Sequence, residues 1–450
     1  MEVMKVANNA EFPKEWTIVS LERDCVLISG LRPKGGASDE GIPSLGGEHI
    51  TLDGRINFSD VNAKYVPEKF FKIMTKGKAE ENDILVNKDG ANTGKVAILK
   101  KKFYKDIAIN EHLFILRSKK LFVQQYLFYW FFSRFGQKQI TDRITGSAQP
   151  GLSSTFIKNF LVPRPPLPEQ RKIAEILETI DNAIEKTDAI IEKYKRIKQG
   201  LMQDLLTKGV VSEGEGESES KSESEGESEK WRLRDEKIDK FKDSPLGRIP
   251  EEWEVRHISD ISLINPKTTV NPRESYPYIE MDATPIMGKR YKYITYRKAS
   301  EAGVKFKKGD VLIARITPCA ENGKALLVPN DIHIGIGSTE FIVFRAKENV
   351  DNVYLFYLLI SDLVRNVSIG LMEGTSGRQR IPKYVYSDII KVAIPKSKTE
   401  QQRVASILSQ IDEVIEKEQA YKEKLERIKK GLMEDLLTGK VRVNHLIEEE

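Results

Sequence analysis

Cysteine is nearly missing from this chain: 450 residues carry two, Cys25 and Cys319, far apart in the sequence. Two thiols so placed can build neither a disulfide framework nor a CxxC metal site, and buried, inert thiols in a reducing cytoplasm are the expectation. No apolar run approaches the ~18 residues needed to cross a bilayer, and the opening "MEVMKVANNAEFPKEW" has no apolar core of the signal-peptide kind. Histidine is scarce as well. His49, His112, His257, His333 and His445 show no HExxH and no ligand spacing. No GxGxxG follows a strand pattern, and there is no G-x-S-x-G elbow. "GANTGK" (90–95) has three residues between its glycines where a phosphate loop needs four, and Val96 stands where Ser or Thr is required. Asn265-Pro266 and Asn271-Pro272 are each followed by a basic residue, so the Asn-Pro-Pro-aromatic motif by which amino-methyltransferases hold their target amine is absent. These absences count against a metalloenzyme, a hydrolase, a nucleotide-dependent enzyme and a fused methyltransferase.

Charge is present in both signs, and its distribution is uneven. The net formal charge is +5. Residues 212–230, "SEGEGESESKSESEGESEK", hold eight Glu and two Lys, which is −6 and leaves +11 on the rest. A basic body with one acidic insert points to a polyanionic partner. The insert has the composition of a disordered linker. At 450 residues the chain is too long for one core, and two to four domains are expected.

The most informative feature is a repeat. Glu169–Val210 and Glu400–Val441, offset by 231, are identical at 24 of 42 positions without a gap. The likeness continues upstream: "YLFYWFFS" (126–133) with "YLFYLLIS" (354–361), "HLFILR" (112–117) with "EFIVFR" (340–345), and "FPKEW" (12–16) with "IPEEW" (249–253). "ENDILVNKDGANTGKVAIL" (81–99) matches "KGDVLIARITPCAENGKALLV" (308–328) with a two-residue insertion. The chain is a tandem duplication in which each half is a variable module followed by a well-matched segment. The expected boundaries are 1–167 for the first module, 168–210 for the first helix and 211–244 for the acidic disordered linker and its lead-in. The second module follows at 245–397, the second helix at 398–441 and a tail at 442–450.

The matched segments read as long helices. Ile173, Leu177, Ile180, Ile184, Thr187, Ile191, Tyr194, Lys198, Leu201 and Leu205 follow a four–three spacing, a heptad seam. Its counterpart includes Val404, Leu408, Ile411, Ile415, Leu425, Leu432 and Leu436. A second stripe, Ile176, Ala183, Ile190 and Ile197 with Ile407, Val414, Tyr421 and Ile428, makes the apolar face wider than a two-stranded coiled coil needs. Pro168 suits a first turn, Ser397 and Glu400 have capping-box spacing, and Gly209 and Gly439 follow the last apolar residues. Gly200 and Gly431 interrupt the pattern, which implies a bend, a close neighbouring backbone, or tolerance. An antiparallel pair of such helices predicts a rod with a module at each end and a pseudo-two-fold relation between the halves.

The modules read as mixed α and β. "DILVNKDGANTGKVAIL" predicts strand, turn, strand; "HLFILR" and "EFIVFR" predict buried strands; "FVQQYLFYWFFSRFGQKQI" predicts an aromatic core helix. Polar loops precede the last strand of each module, "ITGSAQPGLS" (144–153) and "MEGTSGRQRIP" (372–382). Candidate DNA-contacting residues are Lys88, Asn92, Thr93, Lys95, Arg143, Thr145, Ser147 and Gln149 in the first module. In the second they are Arg315, Thr317, Asn322, Lys324, Thr375, Ser376, Arg378, Gln379 and Arg380. Arg suits the guanine O6/N7 edge and Asn or Gln the adenine N6/N7 edge, while Lys, Ser and Thr more often hold phosphates.

The segments "LPEQRKIAEILETIDNAIEKTDAIIEKYKRIKQGLMQDLLTKGV" and "TEQQRVASILSQIDEVIEKEQAYKEKLERIKKGLMEDLLTGKVRV" resemble the repeated helical regions of the DNA specificity subunit of type I restriction–modification systems. The upstream parts, with "GSAQPGLS" and "GTSGRQRIP", resemble its two target recognition domains. The likeness covers essentially the whole chain, and the acidic insert is its main departure. The resemblance implies a non-catalytic subunit in the cytoplasm, with no membrane contact. Each module would read one half of a split, asymmetric target in double-stranded DNA, and the helix pair would set the spacing. Two modification subunits would dock on the helices and carry S-adenosylmethionine, and restriction subunits would carry ATP. This chain would bind neither cofactor and no metal. A fused enzyme and a coiled-coil scaffold for protein or membrane are the competing readings.

Overall fold

The computed structural model describes residues 12–146, 150–213, 230–375 and 377–447. In chain order, the first half supplies strands β1 (Cys25–Ser29), β2 (Ile84–Asn87), β3 (Val96–Ile98) and β4 (Leu113–Ser118), then helices α1 (Gln124–Phe132), α2 (Arg134–Thr141) and α3 (Leu167–Leu205). Strands β5 (Val210–Ser212) and β6 (Trp231–Leu233) follow. The second half adds β7 (Ser262–Ile264), β8 (Val311–Ala314), β9 (Ala325–Leu327) and β10 (Phe341–Ala346), then α4 (Asn352–Ile360), α5 (Asp362–Gly370) and α6 (Lys398–Leu437). The fold is α+β, and its contacts divide it into two units, Met1–Asp188 with Ala420–Glu450, and Ala189–Gln419. Each unit holds one module, one end of α3 and the opposite end of α6.

The repeat is visible in topology. The first module has a four-stranded antiparallel sheet in the order β1-β4-β2-β3, and the second has β7-β10-β8-β9. The strand at or just after each Trp of the repeat pairs with the last strand of its module, Thr17–Ser20 with Leu161–Arg164 and Trp253–His257 with Lys391–Pro395. A further sheet differs between modules: three strands in the first and four in the second.

The aromatic stretch packs under each sheet, with Tyr126–Phe131 and Tyr354–Ile360 all buried. The first stretch is two helices rather than the single one its sequence predicts. Ser133 adopts an extended conformation (φ −65°, ψ 160°), and its hydroxyl accepts from Gly136 N, so it caps α2. Ser361 breaks α4 from α5 at the matching position.

In the first unit, Ile173, Ala174 and Leu177 of α3 share the module core with Met433, Leu436 and Leu437 of α6. Lys429 meets Asp181 at 2.6 Å and Lys422 meets Asp188 at 2.6 Å. One heptad forward on α3 is one heptad back on α6, so the segments run antiparallel. In the second unit, Leu205 and Leu206 join Val404, Ala405 and Leu408 in the core, and Lys198 meets Asp412 at 2.6 Å. The expected seam is therefore inside: Ile184, Ile191, Leu425 and the residues just named are buried, while Ile180, Leu201, Ile411, Ile415 and Leu432 are half-buried. Each fully buried Leu or Ile contributes about 1.5–3 kcal/mol.

Several expectations at the helix ends need revision. α3 ends at Leu205 and α6 at Leu437, short of 210 and 441, because the chain turns at left-handed glycines, Gly209 (φ +65°) and Gly439 (φ +71°). A Cβ at Gly209 would run into the Glu400 carboxylate and the Trp253 ring; one at Gly439 would run into Pro13. Ser397 Oγ accepts from Glu400 N at 3.3 Å, but Glu400 does not complete a capping box. Its carboxylate instead takes Trp253 Nε1 at 3.2 Å, Val210 N at 3.1 Å and Arg234, all in the core of the second unit. The first unit repeats this clamp. Glu169 takes Trp16 Nε1 at 3.0 Å and Arg442 Nε and Nη2 at 2.7 and 3.0 Å. Around Gly200 and Gly431 an added Cβ would meet nothing within 4 Å, so no neighbouring backbone among the described residues explains them.

The lead-in assigned to a disordered linker is structured from Lys230 onward. β5 pairs antiparallel with β6, Glu213 N donates to Lys230 O at 2.8 Å, and Phe241–Ser244 pairs with Gly247–Pro250. The acidic stretch 214–229 lies outside the described residues; Glu213 and Lys230, which flank it, are hydrogen-bonded to each other.

Candidate nucleic-acid interface

In the first module the β2–β3 turn and the later polar loop are joined. Leu152 N donates to Lys88 O at 2.6 Å, Gly90 N to Pro150 O at 3.3 Å, and Thr93 Oγ1 to Gly90 O and Pro150 O at 2.6 and 3.1 Å. Gly90 and Gly94 both take positive φ, as the turn requires. A cleft of about 450 Å³ opens beside this junction, bounded by Gly47, Asp89, Asn92, His112 and Pro150. His112 Nδ1 lies 2.6 Å from Asp89 Oδ1.

The second module builds the same junction. Thr317 N donates to Gln379 O at 3.0 Å, Gln379 N to Thr317 Oγ1 at 3.1 Å, and Ile381 N to Arg315 O at 2.8 Å. Arg380 holds Glu340 with Nε at 3.0 Å and Nη2 at 2.8 Å. Those hydrogen bonds pull the Glu340 carboxyl below its usual range against the opposing effect of desolvation. Arg315 Nε stands 3.8 Å from the same carboxylate.

The candidate residues separate into engaged and free. Asn92 donates to Gly47 O at 3.0 Å; Arg143 donates to Gln139 O at 2.8 Å and Asn159 O at 2.7 Å. Lys324 donates to Met281 O at 2.7 Å, and Lys88 Nζ lies over the Phe114 ring. Among the described residues, the side chains of Lys95, Thr145, Asn322, Thr375 and Arg378 make no hydrogen bond or ion pair; all but Lys95 are exposed. Ser147, Gln149 and Ser376 lie outside the described residues. Sequence reasoning missed Glu340, His112 and Asp89. The signal was available, because the aligned strings "HLFILR" and "EFIVFR" begin with that His and that Glu.

A second surface recurs where each module meets its helices. In the first unit a cavity of about 310 Å³ is lined by Ser133, Asp181, Lys429 and Met433, among others; in the second, one of about 780 Å³ is lined by Ser361, Asp412, Lys198 and Met202. These residues correspond pairwise under the internal repeat. The second apolar stripe stays partly uncovered: Ile190, Ile197, Tyr421 and Ile428 are each exposed by 37% or more. Among the described residues no group of His, Cys, Asp and Glu could hold a metal, and no single helix is long and apolar enough to cross a membrane.

Comparison with known proteins bears on this pair of modules. The family model described as the type I restriction modification DNA specificity domain matches residues 56–195 and again 250–427, more than half of the chain. The chain belongs to that family. This specificity-family protein is 27% identical to the type I restriction enzyme MjaVIII specificity subunit of Methanocaldococcus jannaschii, over 99% of this chain and 97% of the relative. It is 29% identical to the putative MjaX specificity subunit of the same organism, over 98% and 97%. Its fold is similar to the crystal structure of the type I restriction–modification S subunit from M. genitalium, with a TM-score of 0.56 at 14% identity over 95% of this chain and 97% of that one. The family's recognition domain is present twice, and the loop junctions just described fall one in each copy.

Proposed function

We propose that this chain is the sequence-reading subunit of a type I restriction–modification complex, and that each module reads one half of a bipartite, asymmetric target in double-stranded DNA. The reading rests on one observation above all. The same two loops are stitched by equivalent backbone hydrogen bonds in both modules, while the side chains they carry differ. A constant frame with variable donors suits two readers of two different sequences. Among the described residues, Lys95, Thr145, Asn322, Thr375 and Arg378 are candidate donors free to meet phosphates or base edges.

The repeated cavities and the uncovered stripe on α3 and α6 suit docking of two modification subunits, one on each copy. Those subunits would hold S-adenosylmethionine and methylate adenine; restriction subunits would hold ATP and cleave. This chain's own residues orient the DNA and fix the spacing between half-sites, in the cytoplasm. The test is to coexpress the chain with its modification subunit and map methylated adenine in host DNA. One split, asymmetric motif is expected, and exchanging residues 245–396 for another module changes one half of it. A formed complex that methylates at no defined motif sinks the proposal, and methyl transfer by the purified chain alone would make it an enzyme instead.

A further inference from the structure

The two junctions can be superposed on their hydrogen bonds without reference to side chains. Lys88 N donates to His112 O at 2.9 Å, and Arg315 N donates to Glu340 O at 2.9 Å. Leu152 N returns to Lys88 O, and Ile381 N returns to Arg315 O. Asp89 bridges Gly151, and Ile316 bridges Arg380. Position by position, then, Lys88 corresponds to Arg315, His112 to Glu340 and Gly151 to Arg380. At three sites on one frame, the first module carries Lys, His and Gly, and the second carries Arg, Glu and Arg.

The second set has a specific geometry. Glu340 takes the side-on edge of Arg380, Nε and Nη2. That leaves the end-on edge, one N–H on each terminal nitrogen, and Nη1 has only a long 3.5 Å approach to Arg378 O. The end-on edge, with its two parallel N–H donors, can pair with guanine O6 and N7. A guanidinium fixed on one edge loses little rotamer freedom on using the other. Glu340 does not cancel the local charge, because Arg315 lies beside it as well. The Arg380 side chain is 40% exposed and so not closed off from solvent.

We propose that Arg380, buttressed by Glu340, reads the guanine of a G·C pair in the half-target of the second module, with Glu340 as a positioning residue. The first module carries Gly151 and His112 at the same two sites, so it has no arginine–glutamate pair there. The inference rests on the specificity reading above and assigns it a base and two residues.

The experiment uses the full chain in complex with its modification subunit and maps methylated motifs for the wild type, Arg380→Lys, Arg380→Ala and Glu340→Gln. Lysine keeps the charge but lacks the paired edge. Arg380→Lys and Glu340→Gln should relax one G·C position in the half assigned by module exchange. Preference there should fall on the order of 10- to 100-fold, with the other half unchanged. A uniform loss of methylation at every site with the motif intact would mean a phosphate contact and would overturn the proposal. So would an unchanged motif in all three variants, or a second half-target without a G·C pair. Thermal unfolding of each variant separates the readings further: a merely structural ion pair moves the melting temperature and leaves the motif alone. Should Arg380→Ala not fold, the lysine and glutamine variants still decide. A wild-type complex with no motif would overturn the specificity reading itself along with this one.

Discussion

Tyr129 donates its hydroxyl to Asp181 Oδ2 at 2.7 Å, and the other oxygen of that carboxylate takes Lys429 at 2.6 Å. Three elements, α1, α3 and α6, meet in this one triad. The second unit repeats it: Tyr357 donates to Asp412 Oδ2 at 2.6 Å, and Lys198 meets Asp412 Oδ1 at 2.6 Å. Burial, and then the neighbouring carboxylate, push both phenols above their usual range, which favours the protonated hydroxyl that donates here. The triad fastens the module to the helices within its unit.

Tyr129→Phe keeps the ring and deletes the donor. A hydrogen bond to a charged group contributes about 1.5–3 kcal/mol, and Lys429 still neutralises Asp181, so the loss should fall at the lower end. Asp181→Ala leaves the largely buried Lys429 ammonium unpaired and should cost more, about 3 kcal/mol. Urea unfolding of the two variants checks the order; equal losses would mean that the lysine relaxes to solvent.

Arg234 and Glu400 are a buried ion pair, with side chains 7% and 6% exposed. Removing one partner strands the other, so Arg234→Met should destabilise the second unit by about 3–5 kcal/mol. Adding Glu400→Gln to that variant should recover part of the loss, since no uncompensated charge remains and the amide oxygen can still accept from Trp253 Nε1 and Val210 N. A double variant no more stable than the single one, in thermal unfolding followed by circular dichroism, would contradict this account.

Gly200 and Gly431 sit inside helices, with open space around them. Alanine at either should stabilise the isolated chain by about 1 kcal/mol. The melting temperature should rise for each variant, and the two increments should add. No rise would point to an interaction of these glycines in the free chain that the described residues do not show.

Much of this architecture was legible in the sequence because it is periodic or adjacent. The four–three spacing from Ile173 to Leu205 announced α3, and Gly90 and Gly94 announced the turn between β2 and β3. The misses involve partners far apart along the chain. Nothing local says that Glu400, three residues after Ser397, should serve Trp253 and Arg234 instead of its own helix end. Nothing local says that Arg143 turns to Asn159 O while Arg378 stays free. Ser133, between Phe132 and Arg134, had the right chemistry for a cap, but the aromatic run around it read as continuous. Of the loop candidates, Thr145 falls instead in a short strand, Ile144–Thr145, paired with Gly151–Leu152, and the side chains were sorted only by which carbonyl happened to lie opposite.

The hairpin of β5 and β6 has a practical meaning. Glu213 and Lys230 are bonded neighbours, so the chain enters and leaves the acidic stretch through a doorway one hydrogen bond wide. A fluorescent protein, an affinity handle or a second binding module with closely spaced termini could replace the stretch without altering the path of the chain on either side. The closeness of Glu213 and Lys230 is the geometric condition such an exchange needs.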